Sequence, residues 1–68
     1  MKKTTKPLPA GSWVLVWEGP EPTAGLAQGM LENNGLDVHA QRLELAVRLS
    51  VRTEDAETAQ ELLKDWAL

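Results

Sequence analysis

The C-terminal segment Thr53–Leu68 constrains the fold of this chain more than any other stretch. Placed at about 100° per residue, its apolar residues share one side of a helix: Ala56, Ala59, Leu62, Leu63, Trp66 and Ala67. Charged residues occupy the opposite side: Glu57, Glu61, Lys64 and Asp65. Thr53 suits the N-cap position, and Glu54 and Asp55 place negative charge where the helix dipole favours it. Because the apolar side must pack on another apolar surface, this helix predicts a β-sheet beneath it.

The chain has 68 residues, which is the size of a single domain. Such a domain buries only roughly 60% of its unfolded surface, and its core rarely supplies more than about 3–5 kcal/mol of stability. Cys is absent and His39 is the only histidine, which excludes disulfides and multi-histidine metal sites within one chain. We expect no metal and no cofactor. Without a disulfide or a metal, self-association is the remaining way in which such a small domain could gain stability.

The charge of the chain is unevenly distributed. The formal net charge is −3, and Lys2, Lys3 and Lys6 all precede residue 13. The rest of the chain carries four basic and ten acidic side chains, so we expect no nucleic-acid partner, because phosphate neutralisation dominates that affinity. No apolar run could span a membrane, and the basic N-terminus lacks the apolar region of a signal peptide. We therefore predict a cytoplasmic protein with no membrane partner.

The N-terminal residues differ in character from the rest. Residues 1–12 contain Pro7, Pro9 and Gly11 among small and basic residues and have no apolar pattern. We predict a flexible leader at residues 1–12 and a single α+β domain at residues 13–68. The alternative for the leader is a basic arm that contacts a partner.

The first apolar run, Trp13–Trp17, is composed of β-branched, aliphatic and aromatic residues, which is typical of a β-strand. Strict alternation divides it into two apolar faces, Val14 and Val16 on one and Trp13, Leu15 and Trp17 on the other. The sequence leaves open which of these faces the helices cover. The tryptophans are core residues in one case and lie on an open face in the other.

A helix and a hairpin follow the first strand. The helix is predicted from Pro22 or Thr23 to Asn34, with Gly35 in a left-handed C-terminal cap. Residues 36–52 then alternate between apolar and polar side chains, as half-buried strands do. A turn centred on Gln41 and Arg42 keeps the apolar residues on one face. This turn pairs Ala40 with Leu43, Val38 with Leu45, Leu36 with Val47, and His39 with Glu44.

The predicted element order is β-α-β-β-α, an α+β domain. A right-handed crossover gives a three-stranded, mostly antiparallel sheet of order 1-3-2 with two helices on one face. This is a ferredoxin-like arrangement without its usual last strand. The missing strand would have paired with the first, so the edge of Trp13–Trp17 is left open. We expect no Lys, Pro or bulge to protect that edge.

The order of these elements resembles a known family. The segments PTAGLAQGMLENNGLDV and VRTEDAETAQELL carry the resemblance through these markers: Ala24, Leu31, Glu32, Gly35, Leu36, Val51, Glu54, Asp55 and Ala56. Over residues 13–68 the chain is similar to small prokaryotic signal-transducing proteins, a domain-of-unknown-function family with a PII-like, ferredoxin-related fold. It departs from the family pattern in its short connection between the second and third strands and in Thr53, where Pro is expected. The resemblance implies a bacterial regulatory or binding module and no chemistry.

No pattern of catalytic residues stands out, and we predict that the chain is not an enzyme. His39 opposite Glu44 could form an acid–base pair, and the simpler interpretation is an exposed cross-strand pair. Ser12 and Ser50 have no adjacent base in the sequence.

The tryptophans of the first strand suggest an interface. On an open face they would lie near Arg48, and Trp beside Arg is a typical interface anchor. We predict an interface formed by Trp13, Leu15, Trp17 and Arg48. The predicted function is a small non-catalytic regulatory or protein-interaction module with a role in signal transduction. We expect it to form a homodimer through the first strand, and another protein is a second possible partner. The alternative is a small ligand-binding domain or enzyme whose site forms between subunits.

Overall fold

A computed structural model describes residues 11–67, so most of the predicted leader and Leu68 lie outside the described residues. The elements are strand β1 at Trp13–Gly19, helix α1 at Glu21–Asn33, strand β2 at Val38–Arg42 and strand β3 at Val47–Arg52. A 3₁₀ turn at Thr53–Asp55 leads into helix α2 at Ala56–Ala67.

The three strands form one antiparallel sheet in the order β1-β3-β2. Both helices pack on the same face of this sheet, since their buried residues and those of β3 form one cluster. The predicted α+β class, the β-α-β-β-α order and the strand order 1-3-2 are therefore confirmed. The arrangement is ferredoxin-like, and β1 and β2 border the sheet of the described residues.

The core is made of small and aliphatic residues: Ala24, Ala27, Leu31, Val47, Leu49, Val51, Ala59 and Leu63. Leu31, Leu49 and Val51 are the largest fully buried side chains, and burial of each contributes about 1.5–3 kcal/mol. Trp66 is half-buried and packs against this cluster from α2. Alanines in both helices let the helix backbones approach the sheet closely.

Helix α1 ends as the sequence predicts. Gly35 adopts a φ of 85°, a left-handed conformation that costs a residue with a Cβ about 1–2 kcal/mol. The N–H of Gly35 donates to the carbonyl oxygen of Glu32 at 2.9 Å, and the N–H of Leu36 donates to that of Leu31 at 3.2 Å. These two bonds form a Schellman motif, which satisfies carbonyl groups at the helix end.

The start of α2 differs from the prediction. Thr53 is the first residue of the 3₁₀ turn, not a cap in front of a regular helix. Its backbone N–H donates to the carbonyl oxygen of Ser12 at 3.1 Å. The segment after β3 is therefore still joined to the chain in front of β1, and the regular helix begins only at Ala56.

The hairpin register predicted from the sequence is wrong. The structure pairs Val38 with Val51 and Ala40 with Leu49. The strands are joined by a loop at residues 43–46, in which the N–H of Leu43 donates to the carbonyl oxygen of Ala46 at 2.7 Å. The predicted turn at residues 41–42 is thus displaced towards the C-terminus. The two registers differ by an even number of residues. The apolar side chains of β2 and β3 therefore lie on the same face of the sheet in both.

Strand β1 contains a β-bulge that the sequence analysis did not predict. Leu15 lies opposite Ser50 and Trp17 lies opposite Leu49, so Val16 is an extra residue in the ladder. A bulge of this kind shifts the alternation of the strand by one residue. Trp17 is therefore on the face of the buried Leu49. The expectation that no bulge interrupts residues 13–17 is wrong.

Candidate functional site

The face of the sheet opposite the helices carries the most distinctive side chains of the described chain. In β3 the buried residues Val47, Leu49 and Val51 alternate with residues that point the other way. Cross-strand partners share a face, so the register defines the set. We call it the open face, and its residues are Trp13, Leu15, Glu18, His39, Gln41, Arg48, Ser50 and Arg52. No helix or strand of residues 11–67 packs over it.

One end of the open face is a cluster around Trp13. The guanidinium carbon of Arg52 lies 4.7 Å from the centroid of the Trp13 ring. The His39 ring packs beside the same indole, with centroids 6.1 Å apart and planes tilted by 59°. The Nε of Arg52 also lies 3.4 Å from Oδ2 of Asp37. A cation–π contact of this type contributes about 0.5–1 kcal/mol at an exposed site, and it orients the indole on the sheet.

The other end of the open face carries an ion pair across two strands. Nε of Arg48 lies 3.5 Å from Oε1 of Glu18, and both side chains are nearly half exposed. Such a surface pair contributes about 0–1 kcal/mol. Between the two ends lie Ser50 and Leu15, and Leu15 is 48% exposed. An exposed leucine therefore lies between two charged ends, and both arginines of the face are in ion pairs with carboxylates.

The direction of the backbone groups of β1 follows from one hydrogen bond. Thr53 donates to the carbonyl oxygen of Ser12, so Ser12 directs its backbone groups towards β3. Antiparallel strands alternate in this direction at every residue, and Val14 therefore also faces β3. The backbone N–H and C=O groups of Trp13 and Leu15 point to the outer edge of the sheet.

The four residues predicted to form the interface are not on one face. Trp13, Leu15 and Arg48 lie on the open face. Trp17 packs against the core on the helix side, and a Cβ placed on Gly19 would lie 2.6 Å from Cη2 of its ring. The prediction that Trp17 shares the face of Trp13 is wrong because of the bulge. The uniformly apolar run contains no polar residue from which the bulge could have been located.

The predicted pairing of His39 with Glu44 is also wrong. His39 lies opposite Ser50 and beside Trp13, whereas Glu44 lies in the loop between β2 and β3. The register therefore gives no support to an acid–base pair between His39 and Glu44. The cluster of Trp13, His39 and Arg52 brings together residues that only the tertiary structure places in contact.

A second surface feature lies at the β2–β3 loop. A recess of about 230 Å³ is lined by Pro20, Glu21 and residues 42–47, and an ion pair joins Arg42 to Glu21 beside it. Leu43 is 40% exposed and Leu45 is 90% exposed in this loop. Leu43 and Leu45 alternate with other residues in the sequence as strand residues do, so this loop was not predicted.

Residues 11–67 contain no group of three His, Cys, Asp or Glu side chains that could hold a metal ion. Neither helix of this part of the chain is long and apolar enough to cross a membrane.

Comparisons with known proteins do not assign this chain to a family. The chain matches no protein-family model, and neither the curated proteins nor the solved structures gave a match. The resemblance to small prokaryotic signal-transducing proteins therefore stays a prediction.

Proposed function

We propose that this protein is a small non-catalytic interaction module that forms a homodimer through β1. The observation that carries the proposal is the position of Trp13 and Leu15. Both residues lie on the strand that borders the described sheet, and their side chains are on the open face, where Leu15 is 48% exposed. An exposed apolar residue on a border strand favours contact with another chain.

The bulge limits which part of β1 takes part. Upstream of Val16 the regular segment is Trp13–Leu15, and downstream it is Trp17–Gly19. A bulge twists an edge and interrupts pairing along it. The dimer therefore uses β1 on the Trp13–Leu15 side of the bulge.

A two-fold dimer brings the same patch of both copies together. The exposed Leu15 of each copy is then buried against the open face of the other copy. Arg48 stays at the far end of the open face, paired with Glu18, and flanks the interface.

The regulatory part of the proposal has narrower support. A role in signal transduction is supported by the family resemblance, which concerns the order and spacing of the elements. A cytoplasmic location is supported by the absence of cysteine, since disulfides stabilise many small domains in oxidising compartments.

The oligomeric state tests this function directly. We expect light scattering over a concentration series to show a dimer of the full chain at high micromolar concentration. Leu15→Lys should raise the dissociation constant about thirtyfold, because each of two symmetric copies loses about 1 kcal/mol of apolar burial. The matched control is Leu26→Lys, which changes a leucine that is 67% exposed on α1 and should leave the dimer unchanged. A full chain that stays monomeric at high micromolar concentration would falsify the proposal.

A further inference from the structure

The outer edge of β2, on the side of the sheet away from β1, is regular along its whole length. Val38–Arg42 pairs with β3 residue by residue, without the bulge that interrupts β1. The strand contains no Pro and no Lys, and no strand within residues 11–67 pairs with its other side. Because Pro, Lys and bulges are the usual protection of a sheet edge, this edge is suited to accept a further strand.

One hydrogen bond at the end of the hairpin gives the direction of the backbone groups of β2. The N–H of Leu43 donates to the carbonyl oxygen of Ala46, and these residues continue the register of the two strands. The direction alternates at every residue of an antiparallel pair. The bond from Thr53 to Ser12 gives the same result, because it directs the odd-numbered residues of β3 towards β1. The residues of β2 whose N–H and C=O groups point outward are therefore Val38, Ala40 and Arg42.

The flank of α1 beside this edge is acidic. An ion pair joins Arg42, at the end of β2, to Glu21 at the start of α1. Glu32 is exposed and lies about three helical turns after Glu21, so both glutamates are on the same side of the helix. Helix α1 contains no Lys or Arg, so this flank offers carboxylates along the length of β2.

The two ends of β2 do not cancel this charge. Glu44 is exposed in the loop that follows the strand. At the other end Asp37 is paired with Arg52, which leaves the balance unchanged. Three glutamates and one arginine therefore surround the edge with an excess of negative charge.

We propose that the outer edge of β2 binds an extended, basic segment of another protein as an added antiparallel strand. The residues of that segment opposite Val38 and Ala40 have their side chains on the helix side of the sheet. A lysine or arginine at these positions covers the two half-buried residues with its apolar stem and carries its charge to the carboxylates of α1. Main-chain hydrogen bonds supply the affinity, and the glutamates select a basic partner. The site does not depend on the dimer, which uses the opposite edge of the sheet.

A second copy of this chain fits the edge less well than a basic segment. A two-fold axis at the middle of β2 would bring the α1 helices of both copies side by side. Their facing sides both carry Glu21 and Glu32, and like charges in contact oppose association. Charge complementarity therefore favours a different protein as the occupant.

The test uses the full chain and the synthetic peptide acetyl-Thr-Val-Lys-Val-Lys-amide, which matches the five residues of β2. In the antiparallel register its lysines lie opposite Ala40 and Val38, and its threonine lies opposite Arg42. Hydrogen exchange of single amides is followed by nuclear magnetic resonance. We expect the N–H groups of Val38, Ala40 and Arg42 to exchange more slowly when the peptide is added. Those of His39 and Gln41 should change little, because they are directed towards β3.

Two methylated peptides test whether backbone pairing holds the segment. A methyl group on the backbone nitrogen of the lysine opposite Ala40 removes a pairing N–H and should raise the dissociation constant about tenfold or more. A methyl group on the nitrogen of the valine opposite His39 points away from β2 and should change it by less than about twofold. Equal binding of the two methylated peptides would overturn the added strand.

Two charge reversals test the basic character of the partner. Glu32→Lys should weaken binding of the unmethylated peptide about fivefold, because an attraction is replaced by a repulsion. The matched control is Glu61→Lys, which reverses an exposed charge on α2, a helix that packs over β1 and β3. It should leave the dissociation constant unchanged within about twofold. Equal effects of the two substitutions would overturn the selection by charge.

The remaining outcomes separate this site from the dimer. Absence of peptide binding to the wild type at millimolar concentration would overturn the site. Light scattering without peptide that shows assemblies larger than a dimer would place a second copy at β2 and overturn the proposed occupant. A monomeric chain that still binds the peptide at β2 would overturn the dimer and support this site.

Discussion

The two faces of the sheet differ in what they contribute. The helix side of β3 holds Val47, Leu49 and Val51, which are buried under both helices. The open side of the same strand holds Arg48 and Arg52 in exposed or half-exposed ion pairs. The helix face therefore supplies nearly all of the burial energy, and the open face is available for recognition with little effect on the fold.

The largest expected effect comes from a change on the helix face. Leu49→Ala should destabilise the domain by about 2–5 kcal/mol, because the side chain is fully buried and its removal leaves a cavity. A loss of this size approaches the whole stability of a domain this small, so the variant should be largely unfolded in urea titrations followed by circular dichroism. Ser50→Ala on the neighbouring open-face position is the control and should change stability by less than about 0.5 kcal/mol. Equal losses in both variants would contradict the division between the faces.

The two tryptophans of β1 give an intermediate effect that tests the bulge. Trp17→Ala should cost about 2–3 kcal/mol, somewhat less than the 3–5 kcal/mol of a fully buried aromatic residue, because Trp17 is half-buried. Trp13→Ala should cost less, about 1–2 kcal/mol, because Trp13 is also half-buried but contacts Arg52 and His39 on the open face and not the core cluster. Urea titrations of the two variants at a monomeric concentration make the comparison. If Trp13→Ala were the more destabilising change, the assignment of Trp17 to the helix side and of Trp13 to the open face would be wrong.

The smallest expected effect concerns the ion pair of the open face. A double-mutant cycle of Glu18→Gln and Arg48→Gln should give a coupling energy below about 1 kcal/mol, since both side chains are nearly half exposed. The coupling should decrease further in high salt, which screens exposed charges. A coupling of several kcal/mol would show that the open face contributes to stability as the helix face does.

Much of the fold could be predicted from local patterns. The 3.6-residue period of α2, the left-handed cap at Gly35 and the alternation in β2 and β3 each depend on neighbouring residues only. Those patterns correctly identified the elements, their order and the apolar face of the hairpin. The 1-3-2 strand order followed from the rules for crossover connections.

The hairpin register could not be predicted in the same way. Leu43 and Leu45 continue the alternation of the strands, and a shift by an even number of positions leaves every apolar side chain on its face. Pattern alone does not separate such registers. The structure selects the register that places Leu49 and Val51 opposite Ala40 and Val38 under the helices, and it leaves Leu45 exposed.

The sequence by itself therefore determined the type of each element, though not its exact bounds, the order of the elements and which hairpin face is apolar, because these depend on local periodicity. Only the tertiary structure decided the pairing of β2 with β3 and the bulge at Val16. In β1 every residue from 13 to 17 is apolar, so no polar side chain indicates which residues lie on the helix face and which on the open face. The packing of Trp17 beside Leu49 and of Trp13 beside Arg52 is set by contacts between residues far apart in the chain, and these contacts carry no local signal.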